Sequence, residues 1–394
     1  MKRPIFIIIG IVLVFVLLGV WVYILFFGAP DDGAFGNFNF SDSNDDTVVI
    51  VDGQDEEKDP VVDVKGPERL RQLTTQPTAG YQVVQKDASS TPEVYYVEAG
   101  TGHVFSIDLE SGEETRISNK TVPLSRKAAI TPNGQFVMIQ AGSGVGRETV
   151  VLEIGTSSVV NSIELSDRIF DFVSTVDNTF LFGAQAADSA TIKHYLPASD
   201  DLETAFTVPF REASIDWGES ISDVHYIYPK TAGQLEGFVY QSSGGSISRL
   251  PADGFGLSVH GNNEHLVYSK QVDGLYRSYF YNLNEDKTTP LGFTVIPEKC
   301  TTSSYSESNI ICASDNVAYD INIPDDWYRG VVSYSDNLWQ INTKSGSASL
   351  ILNAEQESGR QLDIMNMTMM DEEANIFFIN KNDQTLWLFD QFAE

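Results

Sequence analysis

Histidine, cysteine and positive charge are all scarce in this chain, and each scarcity closes off a class of function. Five histidines (His103, His194, His225, His260 and His265) and two cysteines, Cys300 and Cys312, are spread through 394 residues without ligand-like spacing. No zinc cluster, other metal or cofactor is therefore expected. Lys and Arg number 25 against 55 Asp and Glu, a formal net charge of -30. Nucleic-acid affinity comes mainly from basic side chains neutralising phosphates, so nucleic acid is not an expected partner. A polybasic grip on anionic lipid is ruled out on the same ground. A G-x-S-x-G elbow and an H-E-x-x-H helix are also missing. The run GSGVG at 142–146 imitates a phosphate loop only in composition. It sits between two strand-like runs and opens no helix, so it reads as a hairpin turn. His225 and His265 fall in apolar strands and read as hydrogen-bonded core imidazoles.

One long hydrophobic run is present. Residues 5–27, IFIIIGIVLVFVLLGVWVYILFF, contain no charge. As a helix they would reach roughly 35 Å, enough to cross about 30 Å of hydrocarbon. Lys2 and Arg3 precede the run and Asp31 and Asp32 follow it. The positive-inside rule then leaves residues 1–4 as a cytoplasmic stub and puts everything after residue 27 outside. A cleaved signal peptide is the rival reading; its apolar region would normally be shorter and followed by a small-residue cleavage site. The expected partner of this helix is the lipid bilayer, and the expected location is a single-pass, extracytoplasmic one. Residues 28–66 are acidic and poor in apolar residues, and read as an extended flexible linker.

From residue 67 to 394 short runs of Val, Ile, Phe and Tyr alternate with Gly, Asn, Asp and Ser turns, and no helical period is sustained. A nearly all-apolar strand recurs as VYYV (from Val94), FVMI (Phe136), FLFG (Phe180), HYIY (His225), HLVY (His265), IICA (Ile310) and IFFI (Ile376), at spacings of 42, 44, 45, 40, 45 and 66. Spacings near 44 match a four-stranded propeller blade, whose inner strands are covered on both faces by neighbouring blades. The expectation is an all-β, seven-bladed β-propeller preceded by one transmembrane helix; a six- or eight-bladed ring fits the weaker third and fourth copies. The last copy stops after TLWLFD without an outer strand, while RLRQLTTQPTAG from Arg69 resembles the first outer strand and its exit, ETRISNKTVPLS. The N-terminal strand should therefore complete the last blade.

The phrases YYVEAGTGHVFSIDLESGEETRIS, PEKC, IPDDWYRGVVSYSDNLW and FFINKNDQTLW resemble the WD40-like and TolB-like propellers, specifically the bacterial membrane-anchored ones. The resemblance covers about residues 67–390 and implies a fold and a topology; no recurring Gly-His and Trp-Asp pair is present, and no activity is carried over.

Cys300 and Cys312 fall on the first two strands of the sixth blade, opposite each other across a hairpin turn. Outside the cytoplasm they would form a structural disulfide; two buried thiols are the alternative. The spacing of 66 carries an insertion around 316–336, with Asp325, Asp326, Trp327, Tyr328 and Arg329 in a row. Trp, Tyr and Arg dominate binding hot spots, so an exposed insertion would be a contact site; alternatively Trp327 folds back as a lid over the channel or blade edge. With no catalytic motif and no room for a separate hydrolase domain, the chain reads as a non-enzyme, a scaffold for another envelope or secreted protein. The competing readings are an envelope hydrolase acting on glycans or peptides through a carboxylate pair in the channel, and a sugar or small-ligand binding module.

Overall fold

A computed structural model describes residues 68–393, except 86–90, 156–160, 212, 231, 303–308, 316–321 and 371–374. The chain divides into two units, Met1–Asp63 and Val64–Glu394, and the described residues all belong to the second. The apolar run 5–27 and the linker 28–66 lie outside them. Among the described residues no helix is long and apolar enough to cross a membrane.

The described strands form seven four-stranded antiparallel sheets, so the blade count is seven. In each blade the chain starts at the channel and meanders outward. The innermost strands therefore all begin on one face of the disc, here termed the starting face. The seven apolar repeats are the second strands of their blades, among them Glu93–Glu98, Phe180–Gln185 and Asn375–Asn380. Their burial follows from their place between blades: Val94, Phe180, Phe182, Phe377 and Phe378 have no exposed surface. Each pair of adjacent blades shares one apolar cluster, including the seventh and first, where Phe377 and Leu386 meet Val94 and Ile107. Burial in these seven seams is the main force that holds the ring.

Blade seven is made by both ends of the described chain. Leu70–Gln72 pairs antiparallel with Leu386–Asp390, with Leu70 opposite Phe389. This is the closure anticipated from the sequence, and it leaves no free edge at the junction. The run 142–146 is a short 3-10 turn, Gly144–Gly146, between two strands of blade two. Gly142 there has φ 79°, and a Cβ would meet the Gly146 carbonyl oxygen at 2.4 Å, so the turn requires glycine.

Cys300 faces Cys312 in the strand register, and the two form a disulfide. The bridge closes a loop with a sequence separation of 12. So short a loop limits its entropic contribution to at most about 3 kcal/mol. The double change Cys300→Ser and Cys312→Ser is expected to lower the unfolding free energy obtained from urea denaturation by no more than that, with unchanged far-ultraviolet dichroism; loss of the folded baseline would show a larger role.

Candidate active site at the starting face of the channel

Innermost strands present one side to the channel, and the sequences of blades four and five place equivalent residues there. Ser214-Ile215-Asp216 in the strand Ala213–Asp216 and Ser258-Val259-His260 in the strand Ser258–Gly261 align at the blade period of 44. Neighbouring blades thus bring Asp216 and His260 side by side. The His260 Nδ1 lies 2.8 Å from Asp216 Oδ1, and the Gly261 N–H donates to the other carboxylate oxygen at 2.7 Å. An ionised carboxylate only accepts hydrogen bonds, so Nδ1 carries the proton and Nε2 is the reactive nitrogen. That Nε2 is buried and has no hydrogen-bond partner. Burial lowers the His260 pKa, but the charge and hydrogen bond of Asp216, with Glu298 behind it, leave it above the ordinary histidine value.

Glu298 comes from the short turn Pro297–Lys299 that leads into the innermost strand of blade six. Its Oε1 accepts from the Tyr228 hydroxyl at 3.3 Å and, more closely, from the Tyr328 hydroxyl. Its Oε2 is buried without a partner. Burial pushes the Glu298 carboxyl above the usual carboxylate range, against the Tyr328 hydrogen bond, which favours the ion. Burial likewise raises both phenols well above theirs, Tyr228 and Tyr328, so they act only as donors. Glu298 lines a cavity of about 580 Å³ together with Ser214, Lys230, Asp325, Tyr328 and Arg329. All of these sit where innermost strands begin or second strands end, which is the starting face. The arrangement offers one held acid–base nitrogen and one held carboxylate oxygen, each with its other atom already engaged.

The insertion completes this site. Asp325–Tyr328 is a single helical turn. The Gly233 N–H donates to Asp325 Oδ2 at 2.9 Å, and Arg329 pairs with Asp326. Trp327 is 4% exposed and cannot present itself to a partner, which corrects the reading of Trp327 as a contact residue. It packs with Tyr276, Ile296 and Ile323, and its Nε1–H donates to Asp363 at 3.0 and 3.1 Å. Beneath it Lys299, fully buried, lies 2.5 Å from Asp336 and 2.8 Å from Asp363. Trp327 is thus the anchor that lets Tyr328, on the next residue, reach Glu298.

His260, Asp216 and Glu298 did not stand out in the sequence, because they belong to three different blades and no local motif joins them. His225, read as a core imidazole, is fully buried and its Nδ1 accepts from the Gly218 N–H at 3.0 Å.

No family model matches the sequence, and neither does any curated protein. Among solved structures, an oligogalacturonate lyase from Vibrio parahaemolyticus aligns over 82% of this chain and 93% of its own, at 9% identity and a TM-score of 0.53. An oligogalacturonate lyase in complex with manganese aligns over 83% and 94%, at 10% identity and a TM-score of 0.52. The β-propeller domain of the Trilobed protease from Pyrococcus furiosus aligns over 80% and 95%, at 10% identity and a TM-score of 0.49. At such identities the likeness is one of fold alone, a β-propeller. The expectation that the chain is not an enzyme is corrected here. Its premises were the missing catalytic motif and the missing room for a separate hydrolase domain, and the lyases are enzymes almost all of whose chain is this fold. Among the described residues no group of three or more His, Cys, Asp or Glu could hold a metal ion.

Proposed function

We propose that the chain is a glycan-cleaving enzyme of the cell envelope, working by acid–base chemistry at Glu298 and His260. The observation that carries this reading is the pair of buried, unpartnered atoms, His260 Nε2 and Glu298 Oε2, the second in the wall of a cavity on the starting face and the first close enough to feel its charge. Buried polar atoms are nearly always hydrogen-bonded, and a catalytic role is one reason for an exception; what sets these two apart is that both groups also carry shifted pKa values. The propeller fold shared with oligogalacturonate lyase supports a saccharide over a peptide. The apolar run 5–27 supports a membrane tether that holds the disc outside.

The protonation states assign the roles. A histidine held above its ordinary pKa keeps its proton to higher pH, and a carboxylate raised above its usual range is a stronger base. Glu298 Oε2 takes a proton from water as the water oxygen bonds to the anomeric carbon. The glycosidic C–O bond breaks, and the leaving oxygen takes the proton of His260 Nε2. Glu298 ends protonated and His260 neutral, and one proton returned from Glu298 to His260 through solvent restores both.

Activity should follow a bell-shaped pH profile. The acid limb is the ionisation of Glu298, displaced above 4.5, and the alkaline limb is the deprotonation of His260, displaced above 6.5. Hydrolysis of an oligosaccharide panel across pH, with reducing ends as the readout, tests it. A flat profile, or no cleavage of any glycan, would sink the reading.

A further inference from the structure

The channel holds a second cavity, of about 850 Å³, bounded by the innermost strands of blades one, two, three and seven and by the end of that of blade four. Its charge runs against that of the chain. Overall there are 25 bases to 55 acids, yet this cavity is lined by three bases, Arg126, Lys127 and Lys381, and one carboxylate, Glu219. Lys127 is neutralised by Asp171, whose other oxygen accepts from Trp217 Nε1–H at 2.8 Å. Among the described residues neither Arg126 nor Lys381 forms an ion pair; burial lowers the Lys381 pKa, and the charge of Asp363, already paired with Lys299, partly offsets this. The Lys381 ammonium lies 5.1 Å from the Trp327 ring centre, on the ring that anchors the insertion. Trp217 lines the cavity and directly follows Asp216, the residue that holds His260.

We propose that this cavity is a binding site for carboxylate-bearing sugars, with Arg126 and Lys381 pairing with the carboxylates and Trp217 supplying the stacking face. The proposal rests on the glycan reading above and names its substrate class as acidic. Low-dielectric walls focus the field of cations in a channel, and guanidinium and ammonium groups bind carboxylates through charge-assisted hydrogen bonds. The net charge of -30 repels a polyanion from the outer surface, so recognition of an acidic chain is confined to this cavity. Trp217 is held in place by its bond to Asp171, and a fixed, half-buried indole face suits a sugar ring.

Calorimetric titration of the full-length chain with tetragalacturonate, and with its methyl ester, tests this. The acidic probe should bind at least about tenfold more tightly, and Arg126→Gln and Lys381→Met should each remove about tenfold of that affinity while leaving the ester unmoved. Arg126 is exposed, so its variant keeps the fold even if Lys381→Met does not. Equal affinity for both probes, no binding of tetragalacturonate, or affinity unmoved by both changes would overturn the proposal. The two readings separate cleanly. Cleavage of neutral glycans that needs Glu298, without charge preference, removes the anionic cavity and leaves the acid–base site. Charge-selective binding without cleavage of either probe leaves the cavity and removes the enzyme.

Discussion

Glu298→Gln should lower turnover of a cleaved glycan by about 10²–10⁴-fold, the usual contribution of a positioned general base, with little change in stability. Glutamine keeps the volume, and its carbonyl oxygen still accepts from Tyr228 and Tyr328, the two phenols that hold Oε1. What disappears is a titratable base, so the acid limb of the pH profile should vanish with the rate. His260→Asn should remove the alkaline limb in the same way, since its amide still reaches toward Asp216 but carries no labile proton. Tyr328→Phe is the finer test. That hydroxyl favours the ionised form of Glu298, so its loss should move the acid limb to higher pH while most of the rate remains. A rate unchanged in Glu298→Gln would place the chemistry elsewhere.

Lys299→Met should cost about 3–5 kcal/mol of folding stability, the largest effect expected of any single change here. Among the described residues Lys299 is the one cation within ion-pair reach of two buried carboxylates, Asp336 and Asp363, and all three are fully buried. Without it two acids face each other in an apolar site that also holds Trp327. Proton linkage gives the same cluster a signature in pH. Burial, partly offset by Lys299, pushes the Asp336 carboxyl up to about 6. Its folded value therefore lies above its unfolded one, so the folded chain holds more protons between them. Its contribution is complete below about 3.8 and is lost as the pH rises through about 6. Asp336→Asn should flatten that fall and leave Lys299 and Asp363 as a simple pair. Urea denaturation at a series of pH values would reveal it; an unchanged slope would mean that Asp336 stays ionised in the fold.

The architecture was legible because it is periodic. Apolar second strands recur at the blade interval, since every blade buries the same strand, and the orphan outer strand at Arg69 announced the closure. The disulfide was legible for the same reason: once blade six was framed, Cys300 and Cys312 fell into register. The site was not legible, because Asp216, His260 and Glu298 belong to three blades and no local pattern joins them. A signal did exist. Folding the sequence at the blade period sets Ser214-Ile215-Asp216 over Ser258-Val259-His260 and exposes a polar pair where neighbouring blades carry small or apolar residues. Composition misled at the insertion. Trp327 looked like a surface anchor because Trp and Tyr mark binding surfaces, but Lys299 and Asp363, remote in sequence, supplied a buried place for it.

The pairing of Leu70 with Phe389 also dictates an order of events. A chain made from its N-terminus presents the strand Leu70–Gln72 first and its partner, Leu386–Asp390, last, with nearly all of the disc between. Six blades can assemble as they emerge, each from contacts local to it and its predecessor. The seventh waits for the final residues, and until then two edges and one apolar seam stand open to other chains. Closure of the ring is therefore the slow, concentration-sensitive step, and truncation at the C-terminus should yield aggregation in place of a smaller propeller.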